Sequence, residues 1–454
     1  AGLNSLSVIK LAVELHKEFG FEANVKQMMK ECSVISIEDQ LQEYLMSGAL
    51  AKNTAETKQK TYRSLYPLSK TQLGVYLDCM KNPYTTLYNI PSIFKFTKSI
   101  NADRLADSVK KVILAHPYIF THLTTQNDDV EQVYPDNRQL DIPVKKMTEN
   151  ELELIKKEFV KPFNFSKSPL FRILVVDTES NTYLFADFHH IIFDGASYNI
   201  FLNQLKAAYE GAEIKPEDYT YFDYIDDEIK AESSEEYSKA EKFFDDMMKN
   251  FESASEITPD LGSQGDNGKL AEVSVPFDLS QIEAFCNKNG VTPAQLFLAA
   301  AFYSVSRFTN SRNVYLSTIS NGRSDMRLTD CFGMFVKTLP LGIEIEDISA
   351  LEFVKKSKSV FTGAIENEIY PYSKICSKYG FAPNIMYEYQ IGVTDDLKID
   401  GEAVERNFFD MEITKFKTAI YIENYKNQPS IVVRYNEELY SKDLMQTLVK
   451  SIFN

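Results

Sequence analysis

The chain has 454 residues, of which 44% are hydrophobic and 25% are charged, and its formal net charge is −16. This composition is typical of a globular protein, and the length suggests two to four structural units. The acidic excess argues against a nucleic-acid-binding protein, because such a protein normally presents a basic face to the phosphates.

The N-terminal part, residues 1–47, is predicted to be helical. Apolar residues recur at helical spacing over 6–19, and two shorter helices fit 24–31 and 37–47. Residues 48–64 are polar and almost free of large apolar side chains, so we predict a linker there. Because the chain does not begin with Met, we expect it to be a section of a longer polypeptide.

Beyond the linker, helices and strands alternate irregularly, which indicates a mixed α/β (α+β) fold. The β-rich runs 171–176 and 183–188 are separated by turn residues, so we predict a hairpin. A charged and Ser-rich stretch at 226–262 is suited to carry the chain between two lobes. We therefore place the first lobe at 65–240 and the second at 241–454.

Two adjacent histidines give the strongest chemical signal. The chain has five histidines, and His189 and His190 stand together at the end of the predicted hairpin. A strand alternates its side chains, so one ring is expected to face the core and the other a cleft. Asp194 then lies in a turn, where Gly195 allows a ligand or another backbone to approach closely. From these residues alone, a structural role for the pair remains the commoner alternative.

Cysteine usage and the apolar runs restrict the class of protein further. The five cysteines are scattered and form no CxxC pair, so neither a disulfide framework nor a metal site is indicated. No signal peptide and no apolar run of membrane-spanning length is visible. We expect a cytoplasmic protein that has no contact with membrane or nucleic acid.

The segment HHIIFDG, residues 189–195, resembles the HHxxxDG signature of the condensation domains of nonribosomal peptide synthetases. Further segments resemble other motifs of that family and follow in the family's order: residues 68–72, 88–91, 115–121, 221–224, 322–323, 332–341, 370–371, 383–384 and 389–390. Two positions depart from the family pattern, since Phe120 stands where Arg is usual and Lys337 replaces Asn.

The N-terminal residues GLNSL, positions 2–6, resemble the carrier-domain motif GGDSL, whose Ser bears 4′-phosphopantetheine. Ser5 at the start of an amphipathic helix suits that attachment, because a helix N-terminus tolerates a phosphate well. Leu3 and Asn4 depart from the motif, and a simple helix-capping Ser is the alternative. The resemblance implies that residues 1–47 are the C-terminal part of a peptidyl carrier domain.

The resemblance implies two lobes similar to chloramphenicol acetyltransferase, arranged as a V with a tunnel between them. A small helical carrier fragment precedes the lobes. The implied reaction is amide-bond formation, in which the amine of an acceptor aminoacyl-carrier attacks the thioester of a donor acyl- or peptidyl-carrier. The implied partners are an upstream donor carrier domain, a downstream acceptor carrier domain and an adjacent adenylation domain, and no metal is required.

Residue roles follow from the resemblance and from elementary chemistry. A thioester is already activated and an α-amine has a pKa near 8, so His190 is expected to orient the amine and accept its proton. His189 is expected to pack inside the lobe. Asp194 is expected to form a bracing salt bridge with Arg323. Gly195 is placed with His189, His190 and Asp194 in the catalytic set, because its N–H can hold the donor carbonyl or pantetheine. Asn384 and Ser197 are predicted along the tunnel.

Alternatives within and outside this superfamily remain. An epimerization domain usually reads HHxxxDxxSW, whereas residues 194–198 are DGASY and the chain has no Trp. A heterocyclizing domain would need Asp at position 189. A noncatalytic platform that only binds carriers or partners is kept open by Phe120 and Lys337, and a free acyltransferase using coenzyme A would lack the carrier fragment.

Overall fold

The structure, a computed structural model, describes residues 5–19, 21, 23, 28, 34–46, 61–126, 129–136, 138, 140–167, 169–262, 269–392, 397–409 and 415–454. The α-helices of this part of the chain are α1 (Ser5–Phe19), α2 (Val34–Met46), α3 (Lys70–Lys81), α4 (Ala102–Ala115), α5 (Glu149–Phe159), α6 (Gly195–Tyr209), α7 (Tyr221–Ala231), α8 (Glu235–Met248), α9 (Leu279–Asn289), α10 (Pro293–Thr309), α11 (Ala350–Glu366), α12 (Tyr372–Tyr379) and α13 (Lys442–Phe453).

The strands are β1 (Leu65–Pro67), β2 (Asn89–Thr97), β3 (His122–Gln126), β4 (Asp129–Val133), β5 (Val144–Lys146), β6 (Phe171–Asp177), β7 (Asn181–His189), β8 (Leu270–Pro276), β9 (Asn313–Ser320), β10 (Lys337–Glu344), β11 (Ile385–Tyr389), β12 (Lys398–Ile399), β13 (Glu402–Ala403), β14 (Glu405–Phe408), β15 (Thr418–Tyr425) and β16 (Gln428–Asn436). Helices and strands are interspersed along both halves, so the predicted mixed α/β class is confirmed.

The N-terminal helices α1 and α2 share a small apolar cluster of their own. Val8 and Ala12 of α1 are buried together with Phe21 and Met28, and the ring of Phe21 lies edge-on to Tyr44 at 5.3 Å. The helix predicted over 24–31 falls outside the described residues except for Met28, and so does most of the predicted linker. The other two predicted helices correspond to α1 and α2.

The first lobe is built on a five-stranded sheet in the order β14-β2-β7-β6-β5. Its centre is the predicted hairpin, in which β6 pairs antiparallel with β7 and Phe171 lies opposite Phe188. Helices α4 and α6 pack against each other beside this sheet. Helix α4 begins after Asn101, whose side chain accepts a hydrogen bond from Arg104 N at 2.9 Å and satisfies one free N–H of the first turn.

The second lobe has a six-stranded sheet in the order β10-β9-β11-β15-β16-β8. Strand β11 runs parallel to both of its neighbours, and the other pairings are antiparallel. Helices α10, α11 and α13 pack together beside the sheet and close a core separate from that of the first lobe. Each lobe therefore has its own hydrophobic core, as expected for two folded units.

Two segments of the second half of the chain belong to the first lobe. Strand β14 pairs antiparallel with β2 of the first lobe, so the second half of the chain supplies an edge of the first sheet. Residues Leu328, Phe332 and Phe335 are buried in the core of the first lobe. The predicted boundary at residue 240 assigns both segments to the second lobe, whereas they pack in the first.

Candidate active site

The hairpin carries the two histidines to the edge of the first lobe. Strand β7 ends at His189, which lies opposite Asn89 of β2. His190 follows in a tight turn, where its backbone N–H donates to Tyr88 O at 2.7 Å and Ile192 N donates to His189 O at 3.1 Å. These backbone bonds fix the position of both rings.

His189 faces inward and is 3% exposed. The rings of Phe163 and Phe165 stand perpendicular to its imidazole, with centroids 5.8 and 4.8 Å away. Its Nδ1 accepts a hydrogen bond from Ile191 N at 3.1 Å. Burial, with smaller contributions from the charges of His190 and Arg172, lowers the pKa of His189 to about 3, so this ring is neutral and structural.

His190 is half-buried, and its Nδ1 is enclosed without a hydrogen-bond partner in the described part of the chain. Burial lowers the pKa of His190; the Asp194 carboxylate opposes this effect and the Lys415 ammonium adds to it. The ring is therefore neutral near pH 7 and can accept a proton.

Asp194 and Arg323 meet inside the protein. Arg323 Nη2 lies 3.0 Å from Asp194 Oδ1, and both side chains are almost completely buried. The same Oδ1 accepts from Ser197 N at 2.7 Å, which makes Asp194 the N-cap of α6. Arg323 Nη1 donates to the carbonyls of Leu328 and Cys331. The ion pair thus ties the loop that follows His190 to the second half of the chain.

Ser197 belongs to this network. It is fully buried. Its Oγ lies 2.8 Å from Asp194 Oδ1 and 3.0 Å from Gly333 O, which are alternative acceptors for its one proton, and it accepts from Arg323 Nη2 at 2.9 Å. A residue without exposed surface does not line an open tunnel. We therefore assign Ser197 to the brace, which corrects its predicted place in the tunnel.

The segment that crosses from the second lobe is held by first-lobe side chains. Three of its backbone N–H groups donate to side chains: Phe332 N to Glu217 Oε2 at 3.2 Å, Gly333 N to Ser197 Oγ at 3.1 Å and Phe335 N to Asp194 Oδ2 at 3.0 Å. The carbonyl of Met334 accepts a hydrogen bond from Tyr221 OH at 2.9 Å. A Cβ at Gly333 would lie 2.2 Å from the Tyr221 ring, so this close approach requires glycine.

A buried histidine that sequence reasoning did not single out supports the same segment. His116 Nδ1 lies 2.8 Å from Glu217 and its Nε2 lies 2.7 Å from Gln204. Its ring stacks on Phe332 with centroids 3.5 Å apart. The only signal in the sequence was that His116 lies in residues 115–121, one of the segments that resemble a motif of the family.

The two remaining predicted site residues, Gly195 of the catalytic set and Asn384 of the tunnel, have different surroundings. Gly195 is exposed at the first position of α6, and an added Cβ there would meet open space. Asn384 is half-buried just before β11, where its carbonyl accepts from Thr418 N at 3.3 Å. Gly195 therefore leaves room for a ligand beside the loop, whereas Asn384 joins β11 to β15 of the second lobe.

The two departures from the family pattern occupy structural positions. Phe120 is 2% exposed in the first core, with its ring edge-on to Phe171 at 6.1 Å. Lys337 Nζ donates to the backbone carbonyl of Glu368 at 3.1 Å. Neither change removes a group from residues 189–195, here called the histidine loop.

The second lobe adds two charged residues, Glu388 and Lys415, that were not singled out from the sequence. Glu388 on β11 accepts a hydrogen bond from Gln390 Nε2 at 2.6 Å. Burial raises the pKa of Glu388 to about 7. Lys415 lies just before β15, with its Nζ 5.3 Å from the centroid of the Tyr88 ring of the first lobe.

Among the described residues, no group of three or more His, Cys, Asp or Glu side chains is arranged to hold a metal ion. None of the helices in that part of the chain is long and apolar enough to cross a membrane.

The sequence model of the condensation-domain family matches residues 62–454. The chain is 25% identical to bacitracin synthase 3 of Bacillus licheniformis, over 100% of this chain and 7% of that protein. It is 24% identical to surfactin synthase subunit 2 of Bacillus subtilis (strain 168), over 83% of this chain and 11% of that protein. The chain thus spans only a small part of the length of these relatives.

Solved structures share the fold. The condensation domain from the monacolin K polyketide synthase MokA superposes with a TM-score of 0.72 at 16% identity, covering 87% of this chain and 96% of that one. The X-domain from teicoplanin biosynthesis in complex with OxyB superposes with a TM-score of 0.73 at 17% identity, covering 88% of this chain and 95% of that one.

Proposed function

This chain belongs to the condensation-domain family, and on that premise we propose that it forms amide bonds between carrier-bound substrates of a nonribosomal peptide synthetase. The observation that carries the proposal is the neutral, half-buried His190 on a loop that the Asp194–Arg323 pair braces at 3.0 Å. A neutral imidazole held in one place is suited to accept a proton from an amine.

The reaction joins an acceptor amine to a donor thioester. An appreciable fraction of an α-amine is unprotonated at neutral pH, and a thioester needs no further activation. His190 therefore has to orient the amine and receive its proton, while the loop geometry brings the two substrates together. Gly195 lies at the N-terminus of α6, beside open space, where its N–H can hold the donor carbonyl or pantetheine.

The proposed partners are an upstream donor carrier, a downstream acceptor carrier and an adjacent adenylation domain. Both carriers present their substrates on 4′-phosphopantetheine. Ser5 is our candidate attachment residue in the N-terminal fragment, and it is the first residue of α1, a position that suits a phosphate ester. The apolar cluster shared by α1 and α2 supports a partial carrier domain at residues 1–47.

A noncatalytic binding platform is the second candidate. It is favoured by the fold shared with the X-domain, a protein solved in complex with OxyB. In such a platform the brace would maintain a docking surface, and His190 would have no reacting partner.

Reconstitution separates the two candidates. The chain is mixed with a donor carrier loaded with an acyl thioester and an acceptor carrier loaded with an aminoacyl thioester, and the intact mass of the acceptor carrier is followed. We expect the acceptor to gain the mass of the donor acyl group. Carrier binding without product across a panel of loaded pairs would instead favour the platform.

A further inference from the structure

Lys415 places a cation between the two lobes beside the histidine loop. Its Nζ lies 5.3 Å from the centroid of the Tyr88 ring, and Tyr88 O is the acceptor of the His190 N–H. The Lys415 charge also lowers the pKa of His190. Lys415 is attached to the second lobe just before β15, so its side chain reaches the first lobe across the region where the lobes meet.

No side chain or carbonyl of the described residues binds this ammonium by a hydrogen bond or an ion pair. Lys415 is exposed and makes no hydrogen bond or ion pair with any residue that the structure describes; its contacts are with the faces of Tyr88 and Phe416. Asp78 of the first lobe, whose charge acts on Lys415, is already engaged by Lys81 Nζ and Tyr88 OH at 2.9 and 2.7 Å. The described residues therefore leave all three N–H donors of the ammonium available to a ligand.

We propose that Lys415 is a further catalytic residue, whose ammonium donates a hydrogen bond to the carbonyl oxygen of the donor thioester during amine attack. The inference rests on the proposed function. It gives the site two groups from opposite lobes: His190 for the amine and Lys415 for the oxygen. A cation placed where negative charge develops stabilises the transition state more than the ground state.

The step is balanced without any further reactant. The amine lone pair forms the new C–N bond as the C=O π electrons move onto the oxygen, and Lys415 stabilises that oxyanion. His190 receives the proton lost by the nitrogen. When the intermediate collapses, the C=O bond re-forms, the C–S bond breaks, and the leaving thiolate takes up the proton from the His190 imidazolium.

The charges around Lys415 are consistent with this role. Protein atoms on both sides displace part of its water, which lowers the pKa of Lys415, and this effect is opposed by Asp78, Glu388 and Cys79. The Asp194 charge raises the pKa of His190 and the Lys415 charge lowers it. The charge of His190 in turn lowers the pKa of His189. Loss of the Lys415 charge should therefore raise the pKa of His190 and move the acidic limb of the pH–rate profile to higher pH.

The test compares Lys415→Met and Lys415→Arg in the full chain, with a substrate pair that the wild type condenses. We expect Lys415→Met to lower kcat by about 10²-fold, the low side of the loss of one oxyanion donor, with KM nearly unchanged. Lys415→Arg retains charge and donors and should recover most of the rate. Lys417→Met is the matched control, because Lys417 instead pairs with Glu256 at 2.6 Å.

A second substrate form excludes a phosphate-binding role. N-Acetylcysteamine thioesters carry the same reacting carbonyl but lack the pantetheine phosphate. The Lys415→Met defect should persist with them; a defect confined to KM for carrier-bound substrates, or a wild-type rate, would overturn the inference and leave the proposed function standing. A wild-type chain that makes no product would overturn both. If Lys415→Met melts early, Lys415→Gln replaces it.

Discussion

Arg323 binds Asp194 at 3.0 Å although 129 residues separate them along the chain. Asp194 caps the helix that follows the histidine loop, and Arg323 also holds the carbonyls of Leu328 and Cys331. One buried ion pair therefore connects the histidine loop of the first lobe with the segment that crosses from the second. The position of His190 depends on both lobes.

The brace should be costly to break. Arg323→Met leaves the Asp194 carboxylate buried without its cation, so we expect a loss of about 3–5 kcal/mol in the free energy of unfolding, measured by urea denaturation. The control is Arg327→Met, because Arg327 pairs with Asp325 at the surface and should contribute only about 0–1 kcal/mol. Equal effects of the two substitutions would contradict a structural brace.

Replacing Gly322 by alanine should reduce stability far more than replacing Gly290, which has a similar backbone conformation. Gly322 has φ +66° and Gly290 has φ +67°, but a Cβ at Gly322 would lie 1.9 Å from Phe335 O, whereas one at Gly290 meets open space. Gly290→Ala should cost about 1 kcal/mol from backbone strain alone. Gly322→Ala should cost several times more in thermal or urea unfolding, because the crossing segment must shift; similar values would show that the contact is easily relieved.

Gly195→Ala should separate activity from stability. The Gly195 site is exposed and open, so the methyl group meets no protein atom, and the loss of glycine's chain entropy should leave the melting temperature unchanged or slightly raised. If the donor substrate passes beside this backbone, the methyl group should displace it and reduce product formation by roughly 10–100-fold. Full activity together with full stability would remove Gly195 from the substrate path.

Glu388 should make stability fall with rising pH. Burial raises its pKa from 4.5 to about 7, so between these values the folded protein binds more protons than the unfolded chain, and the free energy of unfolding decreases as pH increases. Glu388→Gln removes this ionisation and should stabilise the protein by roughly 1–3 kcal/mol at pH 8, with little difference at pH 4.5. A pH-independent difference in denaturation would contradict the assignment.

The sequence was sufficient where local pattern decides the structure. The hairpin over 171–176 and 183–188 is β6 and β7, and alternation along a strand predicted that His189 and His190 differ in exposure. The pairing of Asp194 with Arg323 came from the family resemblance, since no local pattern links residues so far apart.

Other features depend on tertiary structure and left no periodic signal. Strand β14 joins the sheet of the other lobe because the chain crosses between them, and His116 reaches Glu217 only after folding. Ser197 was predicted in the tunnel, but its position in α6 points its hydroxyl into the brace. Lys415 was overlooked because the ring of Tyr88, which it contacts, lies on the opposite lobe.

The most direct test of the account is the rate of condensation by His190→Ala, measured as product mass with both carriers loaded over a range of pH. His190 is half-buried with a neutral ring, so its removal should leave the melting temperature near that of wild type and slow condensation by ~10–100-fold, the low side of acid–base contributions. His189→Ala should instead lower the melting temperature, because that ring is enclosed by Phe163 and Phe165. Condensation by His190→Ala at the wild-type rate across the pH range would contradict the catalytic assignment.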